Sequence, residues 1–120
     1  LSQKPASKLV FGSDSPVDSP TQFFGSHAAI NRQRLNCQPG IKGWYPDQRI
    51  GLQEAIQAYT NFPAEISHWN NVTGSLKPGA YADLMRLPLD IFQLPRDDIK
   101  DLLPKATMVD GEWVWKTESL

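Results

Sequence analysis

Cysteine is nearly missing. Cys37 stands alone, so no internal disulfide can form and no paired-thiol metal knuckle can be built. Histidine is scarce as well: His27 and His68 are far apart in sequence and make no His-x-His pair. No apolar run approaches the roughly 20 residues that span a bilayer, and no charged segment leads into an apolar one as a secretory signal does. An excess of one charge is also lacking, since 12 Lys and Arg meet 13 Asp and Glu for a net charge of -1. That balance gives no electrostatic hold on nucleic acid or on an anionic membrane. A reduced, cytoplasmic setting fits these absences.

Proline and aromatic residues are well supplied. Ten prolines, from Pro5 to Pro104, cut the 120 residues into short elements and leave no room for a long helix. Four tryptophans and five phenylalanines provide the apolar surface for one ordinary domain. The sequence opens Leu-Ser-Gln without an initiator methionine, and an apolar triplet arrives within ten residues. This pattern creates the expectation of a piece of something longer.

That triplet, Leu9-Val10-Phe11, is continuous rather than alternating, which suits a strand buried on both faces in a parallel sheet. Gly12 ends it, and Ser13-Asp14-Ser15-Pro16 forms a polar turn. A carboxylate at the carboxyl end of a parallel strand is where barrel enzymes place their chemistry. On general grounds, however, an aspartate here is more often a turn or cap residue.

A helix is predicted over 26–36, with Ser26 as N-cap and His27 in the first turn, where packing is a commoner role than metal ligation. Residues 38–45 form a loop ending in Trp44 and Tyr45, aromatics that fold under more often than they meet a ligand. Leu52, Ala55, Ile56 and Tyr59 have the i, i+3, i+4, i+7 spacing of an amphipathic helix over 52–60, stopped by Asn61 and Pro63. Turn chemistry fills 74–79, and 82–87 is a strand candidate. Residues 89–94 make a short proline-bounded piece, and Ile99, Leu102 and Leu103 an apolar turn with Asp97, Asp98 and Asp101 on its wet side. Asp110-Gly111 between Ala106-Thr107-Met108-Val109 and Glu112-Trp113-Val114-Trp115 predicts an antiparallel hairpin with both tryptophans on one face, in the core.

Five stretches, in order, resemble one family: Phe11-Gly12-Ser13-Asp14-Ser15-Pro16-Val17, Ala29-Ile30-Asn31-Arg32, the run from Gln48 through Glu54-Ala55-Ile56-Gln57-Ala58-Tyr59-Thr60, Gly74-Ser75-Leu76-Lys77-Pro78-Gly79 with Ala82-Asp83-Leu84, and Thr107-Met108-Val109-Asp110-Gly111. Together they look like the closing third of metal-dependent amidohydrolases, in the branch that includes N-substituted formamide deformylase and exoenzyme-regulatory proteins.

The resemblance implies an α+β fragment: the last strand and helices of a TIM (β/α)8 barrel over 1–70, then over 71–120 the C-terminal part of a small β-sandwich ending in the hairpin. Leu9–Phe11 becomes the eighth strand and Asp14 the strand-eight aspartate, a catalytic acid and base that sits by the metal only in the full barrel. The implied cofactor is a divalent metal, zinc being the expected one, held by the full-length parent with none expected in this chain alone. The implied partner is a small amide-type substrate whose C–N bond is hydrolysed, with no nucleic acid and no membrane. Asp83 is expected to tether the preceding Gly-Pro-Gly turn. Arg32 and Arg49 are expected in salt bridges or on solvated surface rather than at a substrate mouth. The family's histidine ligands have no counterpart at His27 or His68, so the isolated chain is expected to be inert. Its uncovered strand should drive self-association or find a new neighbour. The contrasting reading is a non-catalytic interaction or regulatory domain derived from the same fold. A ligand-binding module built on Trp44, Tyr45, Trp69, Trp113 and Trp115 rests on aromatic count alone.

Overall fold

The amphipathic spacing forms its helix where expected. In the computed structural model of the protein, which describes residues 7–117, α2 runs Leu52–Tyr59 and α3 follows at once over Asn61–Ile66. Ala55 and Ala58 are completely buried, and their small side chains let neighbouring elements approach α2 closely. The Thr60 hydroxyl donates to the Ile56 carbonyl at 2.8 Å, occupying an acceptor left free at the helix end.

The first helix differs from the sequence reading. It spans Gln22–Asn31, starting before Ser26 and ending before Asn36, with Arg32 in the left-handed region at its C-cap. Its inner face is Phe23, Ser26, His27, Ile30 and Asn31, spaced i, i+3, i+4, i+7, i+8. Gly25 explains why the start was hard to read. A glycine inside a helix costs about 1 kcal/mol relative to alanine, yet a Cβ here would sit 1.9 Å from the Tyr59 hydroxyl oxygen. Residue 25 is therefore small because α2 crosses α1 there.

Three strands form an antiparallel sheet in the order β1 (Leu84–Arg86), β2 (Ala106–Val109), β3 (Glu112–Lys116). The predicted hairpin is present, with Val109 opposite Glu112. Thr107 faces Trp115 while Met108 faces Trp113, so Val114 is an extra residue and β3 carries a bulge. Trp113 and Trp115 are not core residues; every residue of β3 is exposed. The alternation of an isolated hairpin says nothing about whether a second layer covers it, and among the described residues none does.

The acidic, proline-bounded segments fold as 3-10 turns over Ile91–Gln93 and Arg96–Asp101. They bring Ile91, Ile99 and Leu102 into one cluster with Phe23, Ile30 and Ala55, so helices and C-terminal half share a core. Leu103, grouped with Leu102 in the sequence, is 76% exposed.

Leu9–Phe11 forms no strand. A strand needs a partner about 4.8 Å away, and among the described residues this segment has none. Instead the Phe11 amide donates to the Ala58 carbonyl at 3.0 Å, and the Phe11 ring meets Tyr59 edge-on at 5.5 Å. Leu9 and Val10 remain exposed. The chain presents 8981 Å² of accessible surface, where a folded monomer of this mass exposes about 6500 Å². No helix among the described residues is long and apolar enough to cross a membrane.

Candidate active site at the Asp14 turn

Asp14 opens a four-residue turn closed by the Val17 amide donating to the Asp14 carbonyl at 2.9 Å, with a cis Ser15–Pro16 peptide inside it. Proline in the cis form at the third position is the type VI arrangement. Asp14 itself has φ 50°, in the left-handed region that aspartate tolerates better than most residues. Its side chain is exposed. The contacts of Phe11 with Ala58 and Tyr59 attach the chain to α2 three residues before Asp14.

Gly12 and Ser13, just before Asp14, line a groove of about 1150 Å³ whose walls include Tyr59, Trp69, Leu76 and Met85. The groove is mainly apolar. Burial pushes the Tyr59 phenol above its ordinary value, and the nearby Asp18 carboxylate adds to this.

The other residues singled out in the sequence are not gathered around Asp14. His27 is fully buried under the 3-10 segment Arg96–Asp101, whereas His68 is exposed, at φ 60°, after α3. Among the described residues Arg32 and Arg49 make no salt bridge, and both are half-buried with their guanidinium groups turned onto backbone carbonyls. The Arg32 guanidinium donates through Nε to the Trp44 carbonyl at 3.1 Å and lies over the Trp44 ring. Arg49 donates to the carbonyls of Asn31, Ile41 and Lys42 at 3.3, 3.1 and 2.6 Å. Both arginines strap the 40–45 loop to the end of α1, where free carbonyls of a helix terminus need donors.

Asp83 also differs from expectation. Its carboxylate accepts from the Asp110 amide at 2.8 Å, and the Gly111 amide donates to the neighbouring Ala82 carbonyl at 3.2 Å. Ala82-Asp83 thus grips the hairpin turn and not the Gly-Pro-Gly turn before it. The signal was in the sequence as a pair of motifs, but their meeting is a long-range contact that spacing cannot show.

Among the described residues no group of three or more His, Cys, Asp or Glu side chains could hold a metal ion. A catalytic zinc needs three protein ligands, so these residues do not by themselves fit one.

A family model described as the amidohydrolase family matches residues 6–115. No curated protein and no solved structure matches the chain. With the match extending from just before the Leu9–Phe11 segment to β3, the chain belongs to the amidohydrolase family.

Proposed function

We propose that this chain is the C-terminal portion of a metal-dependent amidohydrolase that hydrolyses C–N bonds of amide-type substrates, and that it is inactive alone. Residues 1–70 would complete a TIM barrel with Leu9–Phe11 as its last strand, and 71–120 would belong to a composite β-sandwich. The observation that carries this reading is the family match over 6–115, which includes an exposed aspartate at the exit of an apolar segment. The exposed Leu9, Val10, Trp113 and Trp115 support it, because apolar side chains in such number belong against a neighbour.

The chemistry assigned to this chain is a proton transfer at Asp14. As water adds to the substrate carbonyl, the Asp14 carboxylate accepts its proton and then returns it to the departing nitrogen, which leaves as a neutral amine. The exposure of the Asp14 carboxylate leaves it open to a substrate. The described residues offer no ligand set for a metal, so the metal's ligands would come from other parts of the polypeptide or from another chain. The exposed apolar surface also fits a non-catalytic interaction domain of the same fold, and self-association is proposed for the isolated chain on either reading.

The test is amide hydrolysis by this polypeptide and by a longer one whose reading frame continues upstream of Leu1 through an apolar strand and a His-x-His pair. The short form should show no turnover with added zinc. In the long form Asp14→Asn should lower kcat by about 100-fold or more, the usual contribution of a positioned general acid or base. Turnover by the short form, or a long form indifferent to Asp14→Asn, would refute the proposal.

A further inference from the structure

His27 is the one fully buried titratable side chain among the described residues, and neither of its ring nitrogens has a hydrogen-bond partner. Buried polar groups are nearly always satisfied, and an unpaired one calls for a physical explanation. Here the ring is covered by the 3-10 segment Arg96–Asp101, which lies along α1. The cover is held by Ile99 beside Ile30 in the core and by the Asn31 amide group, which donates to the Arg96 carbonyl at 3.2 Å. It is a short element. Its hydrogen bonds run three residues apart, from Asp98 to Pro95 and from Leu102 to Ile99, a weaker pattern than an α-helix.

We infer that the Arg96–Asp101 segment is an acid-released cover: protonating His27 detaches it from α1 while the rest of the fold stays closed. The closed state cannot keep an imidazolium, which would be desolvated with both N–H donors unpaired. In the open state the ring meets water and carries its charge freely. Asp97 and Asp101 on the segment favour that charge, and Lys100 on the same segment opposes it. Lys100 lies 3.6 Å from the Asp101 carboxylate and donates to the Asp97 carbonyl at 2.7 Å, both contacts lying within the segment itself. No other charged side chain lies on α1 itself. On α2, which packs against α1, Glu54 is exposed and the Tyr59 hydroxyl lies over Gly25. Burial, aided by Lys100, holds the His27 imidazole below its ordinary value, which agrees with this geometry.

The sign follows from linkage. The closed state binds the proton more weakly than the open one, so closure is fully favoured above the ordinary histidine range and is lost as pH falls through it. With an ordinary value of about 6.5 in the open state, the opening constant should rise as pH falls from 7.5 to 5.5, by up to about tenfold. Release would uncover Ile99 and Leu102 and expose apolar surface.

Hydrogen exchange on the whole chain, corrected for the intrinsic pH dependence of exchange, reads this directly. Peptides covering 94–103 should show this increase, and peptides covering α2 should not. The His27→Leu variant should show no such pH dependence in 94–103. Where that variant fails to fold, the imidazole resonance of His27 in the unaltered chain decides: the closed population should stay neutral as pH falls through the ordinary histidine value. Equal acceleration in all peptides, no acceleration in 94–103, or a His27 signal that titrates within the closed state would each overturn the inference.

Discussion

Alanine at position 43 should damage the fold more than alanine at a loop glycine with open space around its missing Cβ. Gly43 has φ +68° and lies against the end of α1, where a Cβ would stand 2.3 Å from the Asn31 carbonyl oxygen and 3.0 Å from that of Arg32. Both neighbours are backbone atoms that also serve the strap: Trp44 donates its amide to the Arg32 carbonyl at 2.8 Å, and Arg49 donates to the Asn31 carbonyl at 3.3 Å. A left-handed conformation costs a residue with a Cβ about 1 kcal/mol. Moving the loop away forfeits two hydrogen bonds worth about 1 kcal/mol each. The sum is about 3 kcal/mol, a large share of the roughly 5–15 kcal/mol that holds a domain together. Gly79 supplies the control, since its φ is +90° but nothing lies within 4 Å of its missing Cβ. Gly79→Ala should therefore cost only the conformational part, about 1 kcal/mol. Urea unfolding followed by tryptophan fluorescence measures both, with unchanged m-values confirming that the same transition is compared. If the two variants lose the same stability, the packing of the 40–45 loop on α1 is wrong.

Leu102→Ala should cost about 2–4 kcal/mol, because the side chain sits in the core cluster, while Leu103→Ala next to it should stay within about 0.5 kcal/mol; equal effects would place the wrong leucine inside. Asp83→Ala should destabilise by about 1 kcal/mol and speed exchange of the Asp110 amide, whereas Asp83→Asn keeps an acceptor oxygen and should nearly preserve both; an unchanged Asp110 exchange rate in the alanine variant would remove the grip on the hairpin. Asp14→Asn should leave unfolding free energy within about 0.5 kcal/mol of the parent chain, since the side chain is exposed, so that any loss of turnover in a longer polypeptide is chemical; a large loss of stability would make the residue structural. Between pH 7.5 and 5.5 the chain should lose protection first at Ile99 and Leu102, because protonation of the buried, unpaired His27 ring releases the segment that holds them, and deuterium uptake by peptide reports the order.

Local chemistry made some elements easy to read. The α2 face and the Asp110-Gly111 hairpin are each specified by a few adjacent residues, so 3.6-residue spacing and a two-residue turn were enough. α1 was displaced because Gly25 looks like a break, and only the crossing of Tyr59 shows why it belongs inside a helix. Leu9–Phe11 has the composition of a buried strand but takes its structure from a neighbour, and without a strand beside it the segment docks on α2 instead. The exposure of Trp113 and Trp115 is the same lesson on the sheet: hydrophobicity states a need for cover, not its presence. At the site, Asp14 was visible as a carboxylate after an apolar run. The roles of Arg32, Arg49 and Asp83 were not, because each acts on backbone atoms brought close only by folding.

One measurement bears most directly on the claim that this chain contributes a proton-transferring carboxylate to a site completed elsewhere. The purified polypeptide is equilibrated with zinc, freed of excess metal by gel filtration, and its metal content determined alongside the Asp14→Asn variant. Content far below one zinc per chain in both is the predicted result. A full equivalent of zinc that survives filtration and is indifferent to Asp14→Asn would contradict it.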